Sequence, residues 1–175
     1  MIKKVIFLAS ALLLLVACQN KQSERFKTTS VEIDLLKKGL SDYENADWNE
    51  WMKQYHDSAK IYQNTWHQGA SPEEVKARHE SLIAQLSNYS FDKKDITMEQ
   101  IIDDKGRTWV NFWGVWKGTL KENSTEVIIP VHLTIQFKNG KVVEEYGFWD
   151  TYTLNEELKK IENASPNKLS NNESS

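Results

Sequence analysis

Asp150 is the residue with the strongest case for chemistry in this chain. It ends the run Glu144-Glu145-Tyr146-Gly147-Phe148-Trp149-Asp150, where a carboxylate sits among aromatic neighbours. Desolvation there would raise its pKa and suit it to act as a general base. The competing role is a hydrogen bond to a backbone amide or a Trp N–H at a sheet end. Trp51, Tyr62, Trp66, Trp113, Tyr146 and Trp149 could wall an aromatic, ligand-binding cavity, or could simply pack a core. Asp57 could line the same cavity from below, or end a helix. His79 lies on an apolar stripe at helical spacing, where packing is the ordinary role. His56 and His67 sit near loops. The four histidines show no short spacing, so neither a metal nor another cofactor is expected. No serine sits in a nucleophile-elbow context, and no Gly-rich phosphate loop is present.

The elements that must position these groups can be read from periodicity. Ser30 precedes a helix with Ile33, Leu36, Leu40 and Tyr43 on one face. Asp47 can cap a second helix bearing Trp48, Trp51, Met52 and Tyr55. Ser58 to Tyr62 is a short strand. Ser71-Pro72-Glu73-Glu74 is a strong helix start, followed by the stripe Val75, His79, Leu82, Leu86 and Tyr89. Four strand-like runs follow: Phe91 to Ile102, Arg107 to Leu120, Glu126 to Phe137 and Lys141 to Leu154. Asp103 to Gly106 makes a turn, and Asn139-Gly140 a two-residue hairpin loop. The class is therefore α+β, with helices packed on one face of a long curved antiparallel sheet. A regular hairpin register sets Val131 opposite Phe148, Leu133 opposite Tyr146 and Ile129 opposite Asp150. That register turns Asp150, Tyr146 and Phe148 inward, and His132 outward with Gly147 and Trp149. A His132–Asp150 dyad would need a bulge.

The chain begins with Lys3 and Lys4, then twelve uncharged residues from Val5 to Val16. Such a run is too short to span a bilayer and suits a signal-peptide core. Leu15-Val16-Ala17-Cys18 resembles the lipobox of bacterial lipoproteins, in which the cysteine is diacylated and becomes the first residue. Cys18 is the sole cysteine, so an internal disulfide is impossible. The organisation expected is a signal peptide over 1–17, a flexible tether over 18–30, a domain over 31–161 and a disordered tail over 162–175. Lys3 and Lys4 leave with the leader, so 158 residues remain with 20 basic and 25 acidic side chains. With no basic cluster, nucleic acid is not an expected partner.

The order of elements is similar to the nuclear transport factor 2-like superfamily, and closest to its SnoaL-like branch. Three segments carry the resemblance: Gly140-Lys141-Val142-Val143-Glu144-Glu145-Tyr146-Gly147-Phe148-Trp149-Asp150, Trp113-Gly114-Val115-Trp116-Lys117-Gly118-Thr119, and Tyr55-His56-Asp57-Ser58-Ala59. It implies a cone-shaped half-barrel around an apolar pocket. Members include isomerases, dehydratases, epoxide hydrolases and polyketide cyclases, and also many domains without catalysis, so fold constrains activity weakly. Gly147 and Tyr146 depart from the polar residue and the Trp that many SnoaL-like enzymes carry there. No match to the paired acid and base of the isomerases is visible.

Three functions follow as expectations. The first is a lipid-anchored domain, on the extracytoplasmic side of a bacterial envelope membrane, whose aromatic cavity binds a small apolar ligand. The second is a lyase, isomerase or hydrolase with Asp150 as general base. The third is a module that forms a homodimer through its outer sheet face, where His132 and Trp149 would sit.

Overall fold

The computed structural model describes residues 25–164. The expected signal peptide, Cys18 and the part of the expected tail beyond Ala164 lie outside the described residues. Among those described, no helix is long and apolar enough to cross a membrane.

Three helices begin where the sequence caps them. Ser30 accepts from the Ile33 amide (3.1 Å) and opens α1, Val31–Glu44. Asp47 accepts from the Glu50 amide and opens α2, Trp48–Lys53. Ser71 and Glu74 form a capping box at the start of α3, Pro72–Ile83. Ile33, Leu36, Leu40 and Tyr43 are all buried, as the spacing of α1 requires.

The strands are β1 (Phe26–Lys27), β2 (Tyr55–Gln63), β3 (Leu86–Phe91), β4 (Thr97–Ile102), β5 (Thr108–Leu120), β6 (Glu126–Lys138) and β7 (Lys141–Trp149). They form one seven-stranded sheet in the order β1-β4-β5-β6-β7-β2, with β3 also paired to β5. β5 is long enough to hold β4 along its first half and β3 along its second. β2 pairs with β7 in parallel, so the sheet is mixed. Helices and core occupy its concave side, an α+β half-barrel. Burial alternates along β5, with Val110, Phe112, Gly114, Trp116, Gly118 and Leu120 facing inward. Three inward glycines make room for aromatic rings two residues away. A Cβ on Gly114 would collide with Phe112, one on Gly118 with Trp116, and one on Gly147 with Trp149.

Four local expectations need correction. The helical stripe from Val75 does not run to Tyr89: α3 ends at Ile83, and Leu86 to Phe91 form β3. Ser87-Asn88-Tyr89-Ser90 are weak helix formers, and the far half of β5 offers them a pairing edge. The run Phe91 to Ile102 divides at the turn between β3 and β4. The tether stops short of Ser30, because β1 adds to β4 and Arg25 Nε donates to the Ile102 carbonyl (3.0 Å). The last strand ends at Trp149, and a helix, α4 (Tyr152–Ala164), follows it. Leu154, Leu158 and Ile161, at helical spacing, pack α4 on the core.

The register of β6 and β7 also differs from the regular hairpin. Asn139 and Gly140 take the positive φ of the expected tight turn (53° and 72°). Lys138 pairs with Lys141 and Phe137 with Val142, but Gln136 pairs with Glu144. Val143 is the extra residue of a bulge. Beyond it Ile135 faces Glu145, Leu133 faces Gly147 and Val131 faces Trp149. A one-residue slip exchanges the two faces of a strand. Glu145, Gly147 and Trp149 therefore turn inward, and Tyr146 and Phe148 outward.

Candidate functional site

The concave side of the sheet and the helices over it border a half-open cavity of about 180 Å³. Leu36, Leu40 and Tyr43 of α1, Trp51 of α2, Leu154 of α4 and the inner residues of β6 form most of its wall. The wall is apolar and aromatic with few polar groups. The most polar is Glu145, which the bulge at Val143 brings to the inner face.

Glu145 Oε2 accepts a hydrogen bond from the Tyr55 hydroxyl at 2.7 Å. Tyr55 follows α2 directly, and its ring lies 4.5 Å from that of Trp51. Burial pushes the Glu145 carboxyl up to about 6, with the Tyr55 hydrogen bond pulling partly the other way. Burial, reinforced by the neighbouring carboxylate, pushes the Tyr55 hydroxyl well above its ordinary value. Both residues are only partly buried by surface area, as groups lining a cavity are. His79 also lines the cavity, as do Gln54, Gln63 and Thr151. Tyr43, Trp48 and Trp51 surround the His79 ring at 5.2, 6.3 and 6.0 Å. Burial first, and the Arg78 charge second, hold it down to about 4, so it is neutral at neutral pH.

Of the residues singled out in the sequence, Trp51 and Trp149 line the cavity. Tyr62, Trp113 and Tyr146 do not: they lie on the outer face of the sheet with Trp66 and Phe148. Tyr62 stacks on Tyr146 (4.6 Å, 8°), and Trp66 leans on Tyr146 and Phe148. His132 is outward, as expected, but beside Trp113 and Phe148, and its Nδ1 lies 3.0 Å from the Phe112 carbonyl oxygen. The register that turned Asp150 inward does not form. Asp150 is exposed beyond the end of β7, and its Oδ1 accepts from the Tyr152 amide at 2.8 Å. No dyad with His132 forms. Asp57 and His56 are exposed on β2, and His67 is exposed in the loop after it. Among the described residues no group of three or more His, Cys, Asp or Glu could hold a metal ion.

Sequence reading missed Glu145, although a signal was present. Glu144 and Glu145 are adjacent in a strand, and alternation sends one of any such pair to the inner face whatever the register.

No family model matches the sequence, and no curated protein matches it. Solved structures do match its shape. A candidate SnoaL-like polyketide cyclase from Shewanella putrefaciens is 14% identical, covers 75% of this chain and 98% of its own, and gives a TM-score of 0.58. IdmH, a candidate polyketide cyclase from Streptomyces antibioticus, is 14% identical over 73% of this chain and 98% of its own, with a TM-score of 0.60. A nuclear transport factor 2-like protein of unknown function from Burkholderia pseudomallei is 13% identical over 72% and 95%, at 0.56. Likeness at this level of identity is a likeness of fold. The α+β fold matches the nuclear transport factor 2-like cone of these structures.

Proposed function

We propose that this chain is a ligand-binding domain of SnoaL-like fold, held on the outer side of a bacterial membrane by lipid on Cys18. The observation that carries the binding reading is the aromatic cavity with a single carboxyl group at its wall. An engineered apolar cavity of ~150 Å³ accepts benzene. The cavity here is slightly larger, so a molecule of about one ring with a short arm is the size it suits. Neighbours of the same fold that are described as candidate polyketide cyclases support an organic ligand in this position. Native mass spectrometry of the mature chain should show a retained small molecule, and Val131→Phe, which fills the cavity from β6, should expel it. An unliganded chain that also fails to take up one-ring probes would sink the reading. For the anchor, Cys18→Ser should release the protein from the membrane fraction or leave it unprocessed, since two acyl chains are needed for stable attachment.

A second reading is a lyase, isomerase or hydrolase in which Glu145 takes the base role that the sequence suggested for Asp150. Its carboxyl, at about 6, is close to the operating pH of a general base. Binding is preferred because the Tyr55 proton is already directed at Glu145 and His79 is neutral, so no acid stands free to complete the pair. If the retained molecule is converted by the wild type, and Glu145→Gln slows that conversion by about 10²–10⁴, the catalytic reading replaces the binding one.

A further inference from the structure

We propose that the cavity takes a cation: a small amine of about one-ring size whose ammonium group meets Glu145 while its apolar body lies against the aromatic wall. The inference rests on the binding reading above and adds the chemical class of the ligand. Tyr55 occupies Oε2 of Glu145, and Oε1 has no protein partner among the described residues. The carboxylate is thereby held in one orientation with an acceptor left free at the cavity.

The charge of that carboxylate has no partner in the wall. The lining residues include no Lys or Arg. The titratable groups that line the cavity with Glu145 are Tyr55 at the start of β2, which contacts it, Tyr43 of α1 and His79 of α3. All three are neutral at pH 8, the tyrosines raised and the histidine lowered by burial. α4 and its approach contribute only Leu154 and Thr151. A carboxylate in such surroundings is costly to ionise unless a positive charge comes to it. An ammonium group meets that need, and it also meets the π faces of aromatic rings favourably when desolvated. The rings at hand are Trp51, Tyr55, Trp116 and Trp149. A neutral alcohol can donate to Oε1 but brings no charge to offset the carboxylate, and an anion meets like charge.

The test uses the full mature chain and three probes of nearly equal shape: phenethylammonium, 2-phenylethanol and 3-phenylpropanoate, titrated by calorimetry. At pH 8 phenethylammonium should bind about tenfold tighter than 2-phenylethanol, and 3-phenylpropanoate weakest. The preference should fade below pH 5, as Glu145 takes up its proton. Glu145→Gln should abolish the preference, bringing the affinity for phenethylammonium down to that for 2-phenylethanol. If that variant does not fold, the pH dependence of the wild-type preference carries the test. The alcohol or the carboxylate binding as tightly as the amine would overturn the proposal and leave the cavity reading standing. Failure of all three probes would overturn both.

Discussion

Both faces of the β5–β6–β7 ribbon are aromatic, and they are built differently. On the inner face three large rings stand beside a glycine, Phe112 beside Gly114, Trp116 beside Gly118 and Trp149 beside Gly147, and only Phe137 of β6 does not. The glycine lets the ring lie along its own strand, close to the backbone, and Phe112 and Trp116 are almost fully buried. On the outer face rings stack across strands instead. Tyr62 and Tyr146 are parallel at 4.6 Å, about the spacing of neighbouring strands. Their edges and the exposed Trp66, Trp113 and Phe148 meet solvent. Aromatic content alone therefore says little about a pocket. What separates the faces is the glycine pattern and one bulge, at Val143, which sends Glu145 to the cavity and Tyr146 away from it.

Removing one ring from each face should give the largest contrast. Trp116→Ala deletes a buried ring and its Nε1–H donation to the Tyr43 hydroxyl (3.1 Å). It should cost ~3–5 kcal/mol in urea unfolding. Trp113→Ala, three residues earlier on β5 but 40% exposed on the outer face, should cost less than ~1 kcal/mol. Equal losses would erase the distinction between the faces. The same pair sharpens the homodimer expectation. If the outer aromatics mediate self-association, sedimentation should show Trp113→Ala dissociating a species that wild type retains.

Gly147→Ala comes next. Its Cβ would strike the Trp149 ring and press on Leu133 Cδ2 at 3.1 Å. A loss of ~1–3 kcal/mol is expected, with a change in Trp149 fluorescence as its ring leaves the cavity wall. The same substitution at Gly140, where nothing lies near the added methyl, should act only through its positive φ.

Glu145→Gln should move stability the other way, and only at higher pH. The folded chain holds the Glu145 proton up to about 6, whereas the unfolded chain releases it near 4.5. Between these values the folded state binds more protons, so this group's contribution falls as pH rises through the window. Wild type should thus be less stable than Glu145→Gln by up to ~2 kcal/mol at pH 8, with the gap closing by pH 4. His79 slopes oppositely. Lowered to about 4, it takes up a proton more readily when unfolded, and stability is lost as pH falls from 6.5 toward 4. Denaturant titrations of wild type, Glu145→Gln and His79→Gln across pH 4–8 check both signs.

The sequence makes the frame of this fold legible because its signals are local. Ser30, Asp47 and the Ser71–Glu74 box each satisfy amides within three residues, and Asn139-Gly140 answers to a φ requirement at two positions. The site was less legible because it depends on a non-local event. Nothing in Val142-Val143-Glu144 marks which residue will bulge; that follows from fitting β7 between β6 and β2, where the pairing is also irregular after Tyr55. A single displaced residue then exchanged every assignment beyond Val143. α4 was hidden for a different reason. Tyr152-Thr153-Leu154 continues the β-rich composition of β7, and the helix shows only in Leu154, Leu158 and Ile161.

The smallest effect belongs to the residue that the sequence made most prominent. Asp150 lies in solvent after β7, where its carboxylate turns back on the Tyr152 amide and starts the turn into α4. Asparagine can accept the same hydrogen bond. Asp150→Asn should therefore change stability by less than ~0.5 kcal/mol and leave ligand affinity and its pH dependence unaltered. Asp150→Ala removes the acceptor and should cost up to ~1 kcal/mol, expressed as fraying of α4 in amide exchange. Set beside Glu145→Gln, the pair isolates the bulge. The two carboxylates are five residues apart, and only the one carried inward by Val143 should govern what the cavity binds. A loss of probe binding in Asp150→Asn comparable to that in Glu145→Gln would place Asp150 back at the cavity mouth and would mean that α4 moves when the ligand enters.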